Sequence, residues 1–292
     1  MTPLSASNAR VKDARRLSRR SERSERRLFL ADGPKAVEGA LTVPGCVVEV
    51  FATPTATEQY AGLLAGASVT LVDDRAMAAL SDSVTPAGVV ALCRFHDVSL
   101  EAALGHGEAL GHGEALGHGE ARGHGETRGH GATAPRRLVA ICADVRDPGN
   151  AGTVIRCADA AGADAVILAG DSVDLYNPKT IRASVGSAFH LPIAVERDPA
   201  AAVLAAKHAG LTVLAADMAG ISIFDADELL ARPTAWLFGN EAWGLPDALA
   251  ASADSVVSIP IFGRAESLNL STAAALCLYA SARAARRGSQ PG

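Results

Sequence analysis

The sequence predicts an α/β protein: a small α/β unit, then a larger one built on a parallel sheet. Three observations predict it. Short apolar runs alternate with helix-patterned stretches along most of the chain, and alternation of that kind goes with a parallel sheet covered on both faces. A hexapeptide repeat across residues 105–134 separates a first block from a second. In the second block, apolar runs starting at Leu138, Ala235 and Ser255 each lead into a loop of small and polar residues. Ligands of open α/β sheets bind outside the carboxyl ends of the strands.

Composition bounds the function classes. The chain has 292 residues, 49% hydrophobic and 20% charged, enough for one large domain or two smaller ones. Its net charge of −5 does not advertise nucleic-acid binding, so any basic surface must be local. The five cysteines form no C-x-x-C pair. They read as reduced thiols, with neither a disulfide framework nor a metal site. No apolar run reaches the roughly 18 residues of a membrane span, and the first residues lack an apolar signal core. The expectation is a cytoplasmic protein without membrane contact.

Residues 8–27 carry nine Arg or Lys against three acids. They read as a solvated basic helix or as an arm that contacts phosphates, with Arg15, Arg16, Arg19 and Arg20 as candidate contacts. A strand, an Asp-Gly turn and an amphipathic helix follow to Leu41. Strands at Val47–Ala52, Val69–Val72 and Gly88–Phe95, with helices at 57–65 and 77–81, complete a domain over 28–100. The GHGEAL-type units hold five of the eight histidines. Their glycines carry high backbone entropy and offer little to bury, so 101–135 reads as a disordered linker.

The last domain spans 136–292. A strand over Leu138–Val145 ends in Arg-Asp-Pro-Gly-Asn, and a helix runs from Ala151 to Ala161. Pro-Gly-Asn before a helix makes Asn150 a natural N-cap. The next strand is Ala165–Gly170. No G-x-G-x-x-G follows the first strand, which weakens a dinucleotide-binding oxidoreductase. Helices at 178–187, 199–209 and near 227–230, with a strand at 211–216, lead to the closing segment. There strands at Ala235–Phe238 and Ser255–Ile261 precede a helix from Leu268 to Arg287, whose last turns hold Arg283, Arg286 and Arg287, where cations suit the dipole.

The residues LFGNEAWGLP (237–246) and IPIFGRAESLNLSTAAAL (259–276), with N-x-G-x-x-x-R at Asn150–Arg156 upstream, resemble the three motifs of the SpoU (TrmH-like) RNA ribose methyltransferases of the SPOUT superfamily. Three motifs in order make a specific signal. More faintly, Phe29 to Leu41 resembles the RNA-binding domain that precedes the catalytic domain in many such enzymes. The resemblance implies a C-terminal SPOUT-type parallel sheet with a trefoil knot, and a homodimer formed through it. It implies methyl transfer from S-adenosylmethionine to a ribose 2′-hydroxyl, with ribosomal RNA as substrate. The alternatives are transfer RNA, or a catalytically silent RNA-binding protein on the same fold.

Carried onto this sequence, the donor site is built around Leu237, Phe238, Gly239, Ile259, Ile261, Leu268 and Asn269, mostly through main-chain groups. Arg156 matches the family's essential arginine. A guanidinium stays protonated in ordinary settings, so its expected role is a phosphate clamp. Asn150, Glu241, Ser267 and Asn269 complete the candidate catalytic set, with Glu241 expected to meet Arg156 or Asn150. Lys35, Lys179 and Arg182 join the candidate RNA contacts. Trp243 reads equally as a base-stacking group and as an interface or core anchor.

Overall fold

The structure, a computed structural model, describes residues 2–105 and 138–287. Apart from Gly105, the hexapeptide repeat lies outside the described residues, and so does its reading as a linker.

The chain starts with α1 (Ala9–Arg15), a 3-10 turn at Arg16–Ser18 and α2 (Arg20–Arg26). Asn8 caps α1 by accepting the Arg10 N–H at 2.9 Å. Val11, Ala14 and Leu17 form an apolar stripe, buried against Leu30, Phe51, Val72 and Met77. Such a stripe is what fastens a helix to a core, so the basic segment is a packed element, with its arginines outside the core except Arg23, which is buried.

The first sheet follows. Its elements are β1 (Leu28–Asp32), α3 (Pro34–Thr42), β2 (Val47–Ala52), α4 (Pro54–Gln59), β3 (Val69–Leu71), α5 (Asp74–Leu80), β4 (Val89–Arg94) and α6 (Leu100–Ala103). The strand order is β1-β4-β2-β3, with β4 antiparallel to β1 and β2. Side chains alternate across a strand. Phe29 and Ala31 face one core, and Leu30 faces the other, beneath α1 and α5.

The second unit comprises β5 (Leu138–Ala143), α7 (Pro148–Ala161), β6 (Ala165–Ala169), α8 (Pro178–Ser184), β7 (Ile193–Glu196), α9 (Pro199–His208), β8 (Thr212–Ser222), α10 (Asp227–Leu230), β9 (Thr234–Phe238), α11 (Asp247–Ala250), β10 (Ser255–Ser258) and α12 (Leu270–Arg287). The six strands run in the order β10-β8-β9-β5-β6-β7, and every pair is parallel. All carboxyl ends therefore lie along one edge. β5 and β9 are buried throughout, as central strands of a two-sided sheet must be. Trp236 and Phe238 belong to the core that also holds Val154 and Ile155 of α7 and Ala274 and Leu278 of α12. Leu237 belongs to the opposite core, with Val203 of α9.

Several boundaries differ from the sequence reading by a few residues, and three of the differences have a visible cause. The strand expected at 255–261 stops at Ser258, because Pro260 has no N–H for a ladder. β8 reaches Ser222 instead of ending near 216. Its pairing with β10 jumps from Ala215↔Val256 to Ile221↔Val257, so residues 216–220 loop out. Gly220 makes that approach possible. Its φ is +126°, and a Cβ there would sit 2.3 Å from the Val256 carbonyl oxygen. The helix expected at 57–65 is only α4, capped by Thr53, which accepts the Ala56 N–H at 3.2 Å.

The two sheets are tied by specific contacts. The Arg23 guanidinium, 3% exposed, meets Asp174 at 2.6 Å and donates to the Leu17 and Ser18 carbonyls. The Tyr176 hydroxyl accepts from the N–H groups of His96 and Asp97 and donates to the Asp97 carboxylate. Burial, then the Asp97 charge, hold that phenol well above its ordinary pKa. Phe29, Phe95 and His96 pack around it, and Phe189 stacks on His96. Among the described residues, no helix is long and apolar enough to cross a membrane.

Candidate active site

β5 and β9 are hydrogen-bonded neighbours, so the loops that leave their carboxyl ends emerge side by side. α7 begins just after the first loop. Its N-cap is Asp147, whose Oδ1 accepts the Asn150 N–H at 2.8 Å, with Pro148 in the first turn. This corrects the assignment of the cap to Asn150, and it releases the Asn150 side chain for other partners. The Asp147 carboxyl is held below its ordinary pKa, first by the Asn150 N–H and then by Lys179, against the cost of burial.

The second loop folds into a tight hairpin. Asn240 and Gly244 exchange both backbone hydrogen bonds at 2.9 Å, and the Asn240 side chain donates to the Asp144 carbonyl at 2.7 Å. Gly239 sits where the hairpin closes: a Cβ would lie 2.4 Å from the Gly244 carbonyl carbon. The hairpin turns the Glu241 carboxylate back toward β5. It accepts the N–H groups of Arg146 at 3.1 Å and Asp147 at 3.0 Å, and the Asn150 Nδ2–H at 3.2 Å.

The third motif arrives with α12. Asn269 caps it, its Oδ1 accepting from the Ser271 N–H at 2.9 Å and the Ser271 hydroxyl at 2.7 Å. Its Nδ2 donates to the Asn150 Oδ1 at 3.0 Å. Glu241, Asn150 and Asn269 thus form one continuous chain of hydrogen bonds, with Asn150 at its centre. Below it the Cys142 thiol is pushed up to about 12, chiefly by burial and then by the Glu241 charge, so it stays neutral.

The other candidates stand differently. Arg156 is exposed, and among the described residues it makes no hydrogen bond or ion pair; Glu241 bonds Asn150 instead. It lies six residues beyond Asn150 on α7, about 9 Å along the axis at the helical rise. Ser267 is exposed and likewise makes no hydrogen bond there. Leu237 and Phe238 are buried in the two cores, so only their main chain faces the edge. Ile259, Ile261 and Leu268 belong to the loop after β10, where Ile261 and Leu268 are exposed. Among the described residues the main chain of 259–268 makes no hydrogen bond. Its N–H and C=O groups are therefore available to a ligand. A donor site of main-chain groups with apolar side chains for an adenine fits these residues.

The candidate RNA contacts separate by partner. Arg16 pairs with Glu22 at 2.6 Å, Lys35 with Glu38 at 2.7 Å, Lys179 with Asp147 at 3.4 Å and Arg182 with Asp82 at 3.2 Å. Arg15, Arg19 and Arg20 are exposed, with no acid partner among the described residues. Sequence reasoning missed the Asp147 cap, although an Asp before Pro with its acceptor three residues from Asn150 is a usable signal. It also missed the loop-out at 216–220 beside β10.

These features define an α/β protein of the SPOUT arrangement: an all-parallel sheet with a site assembled from three loops at its carboxyl edge. The SpoU rRNA Methylase family matches residues 137–279, and the MRM3-like substrate binding domain matches residues 8–91. The 23S rRNA (guanosine(2553)-2′-O)-methyltransferase RlmP of Bacillus subtilis is 31% identical over 94% of this chain and 96% of its own. The chain belongs to the SpoU family. An AdoMet-bound rRNA methyltransferase from Sinorhizobium meliloti is 30% identical, with a TM-score of 0.75 over 99% of both chains. The SpoU methyltransferase AviRb of Streptomyces viridochromogenes, in complex with AdoMet, is 27% identical, with a TM-score of 0.75 over 97% of this chain and 100% of its own.

Proposed function

We propose that this chain transfers a methyl group from S-adenosylmethionine to a ribose 2′-hydroxyl of ribosomal RNA. The hydrogen-bonded chain Glu241–Asn150–Asn269 carries the reading, because it unites the three motifs at one sheet edge. The relatives whose names specify rRNA 2′-O-methylation support the substrate class.

The bound donor supplies an electrophilic methyl on a sulfonium. The main chain of 237–239, 259–261 and 268–269 holds it, with Ile261 and Leu268 against the adenine. Asn150 and Asn269 order the pocket wall, and Glu241 sets the position of Asn150. Among the described residues Arg156 has no anion to satisfy, so its guanidinium clamps a phosphate of the substrate and orients the hydroxyl. The substrate phosphate or a water takes the proton. Ser267 contacts donor or substrate.

The chain acts as a homodimer through a knotted C-terminal domain, in the cytoplasm. Exposed Leu276 and Tyr279 on α12 support a second copy on that face. Arg156, held apart from the network of its own chain, suits a site completed across such an interface. Arg15, Arg19 and Arg20 on the first domain add phosphate contacts.

The test combines calorimetry with S-adenosylmethionine and ribose-methylation mapping of total RNA from a strain lacking the gene. A methylated rRNA ribose should vanish in that strain, and Arg156→Ala should bind donor while transferring nothing. Absence of donor binding by the intact protein would leave only the silent RNA-binding reading.

A further inference from the structure

Trp243 and Arg146 take no part in the chemistry above, yet both are placed with care. Trp243 is 55% exposed and the Arg146 side chain 57%. The guanidinium carbon lies 5.1 Å from the indole centroid, in cation–π contact. The other tryptophan, Trp236, is fully buried and donates to the Ser281 hydroxyl at 2.9 Å. An indole this open contributes little to the core. Both members of the pair are nevertheless held. The Arg146 N–H is bound to Glu241, two residues before Trp243, and the hairpin between them is closed at Asn240 and Gly244. The only other charged group on Arg146 among the described residues is Asp171, at 3.6 Å and 84% exposed.

We propose that Trp243 and Arg146 form a stacking shelf for an unpaired nucleobase adjoining the ribose that is methylated. This rests on the RNA methyltransferase reading. A ribose hydroxyl must reach a pocket at the strand ends, which draws its nucleotide out of the helical stack. The splayed base loses its stacking partners, and an aromatic ring with an arginine plane replaces them. The shelf presents π-faces and no fixed edge of donors and acceptors, so it tolerates any base.

Tryptophan fluorescence reads this directly, because Trp236 is shielded. Single-stranded RNA oligonucleotides should quench the emission, and a duplex of the same sequence should not. Trp243→Ala should abolish the quenching and raise the KM for RNA by on the order of 5- to 150-fold, the range for loss of one stacked base. Donor affinity should stay as in the wild type, and Trp243→Phe should restore KM to within about threefold, since a phenyl ring still stacks. An unchanged KM in Trp243→Ala, or equal quenching by duplex and single strand, would overturn the shelf. So would quenching that tracks protein concentration without RNA, with Trp243→Ala shifted to a smaller mass, since that marks an interface anchor. Transfer that persists without any quenching sinks the shelf alone. Single-strand quenching by a wild-type protein that transfers nothing sinks the methyltransferase reading and supports the shelf as an RNA contact.

Discussion

Glu241 and Arg156 separate stability from activity. Glu241 accepts three N–H donors from residues 146–150, where the chain enters α7. Glu241→Ala should therefore cost about 0.5–1.5 kcal/mol, the usual net worth of a hydrogen bond whose donors water can reach, read as a lower urea midpoint. Arg156 touches none of the described residues through a hydrogen bond or ion pair, so Arg156→Ala should shift stability by less than about 0.5 kcal/mol while abolishing transfer. A large loss of stability in Arg156→Ala would show that the arginine is structural. Asp147 adds a pH signature. Its folded pKa is depressed, so its contribution is present above its unfolded pKa of about 4 and is lost as pH falls through the lower folded value. Asp147→Asn keeps a cap but does not titrate. The stability gap between wild type and variant, followed by urea titration, should close as the solution is acidified through that window. A gap that stays constant with pH would refute the coupling to Lys179 and the Asn150 N–H.

At the scale of elements, α12 is positioned by a residue with two duties. Asn269 caps the helix through its oxygen and holds Asn150 through its nitrogen. Asn269→Asp retains the cap, and a carboxylate suits a helix N-terminus. It has no N–H to offer Asn150. Thermal stability should therefore stay close to wild type, while donor affinity or turnover falls at least tenfold; equal activity would show that the Asn269–Asn150 contact is dispensable. Much of this was legible in the sequence. β9 and β10 are marked by apolar runs ending at Gly239 and Pro260, α12 by an Ala-rich run that begins after Asn269, and the loops before and between them hold the polar residues that meet. The reason for Gly152 was not legible. A Cβ there would lie 2.5 Å from the Thr180 carbonyl oxygen, so the motif glycine serves the close packing of α7 on α8, a long-range contact that no local pattern encodes. The same holds for the tail of β8. Ile221 and Ser222 join the ladder only because β10 lies beside them, and Gly220 resembles an ordinary turn until that neighbour is known.

At the scale of the molecule, the two sheets are held together by contacts that do not involve the hexapeptide repeat. Arg23 reaches across to Asp174 with its guanidinium buried and the carboxylate part-buried, and Tyr176 fastens the segment after β4. Arg23→Leu should strand the Asp174 carboxylate and cost about 3–5 kcal/mol, as broken buried pairs do. The double variant Arg23→Leu, Asp174→Leu should recover most of that, because it removes both charges. Functionally, the single variant should lose affinity for long RNA while keeping donor affinity, since the three loops of the site lie wholly within the second unit. Deleting 105–134 should behave oppositely. Lobes fixed by direct contacts do not need a long tether to orient them, so turnover should stay within about twofold. Urea midpoints and RNA binding measured on these three proteins decide the matter. If the deletion weakens RNA binding as much as Arg23→Leu does, orientation of the lobes comes from the repeat and not from the Arg23–Asp174 pair.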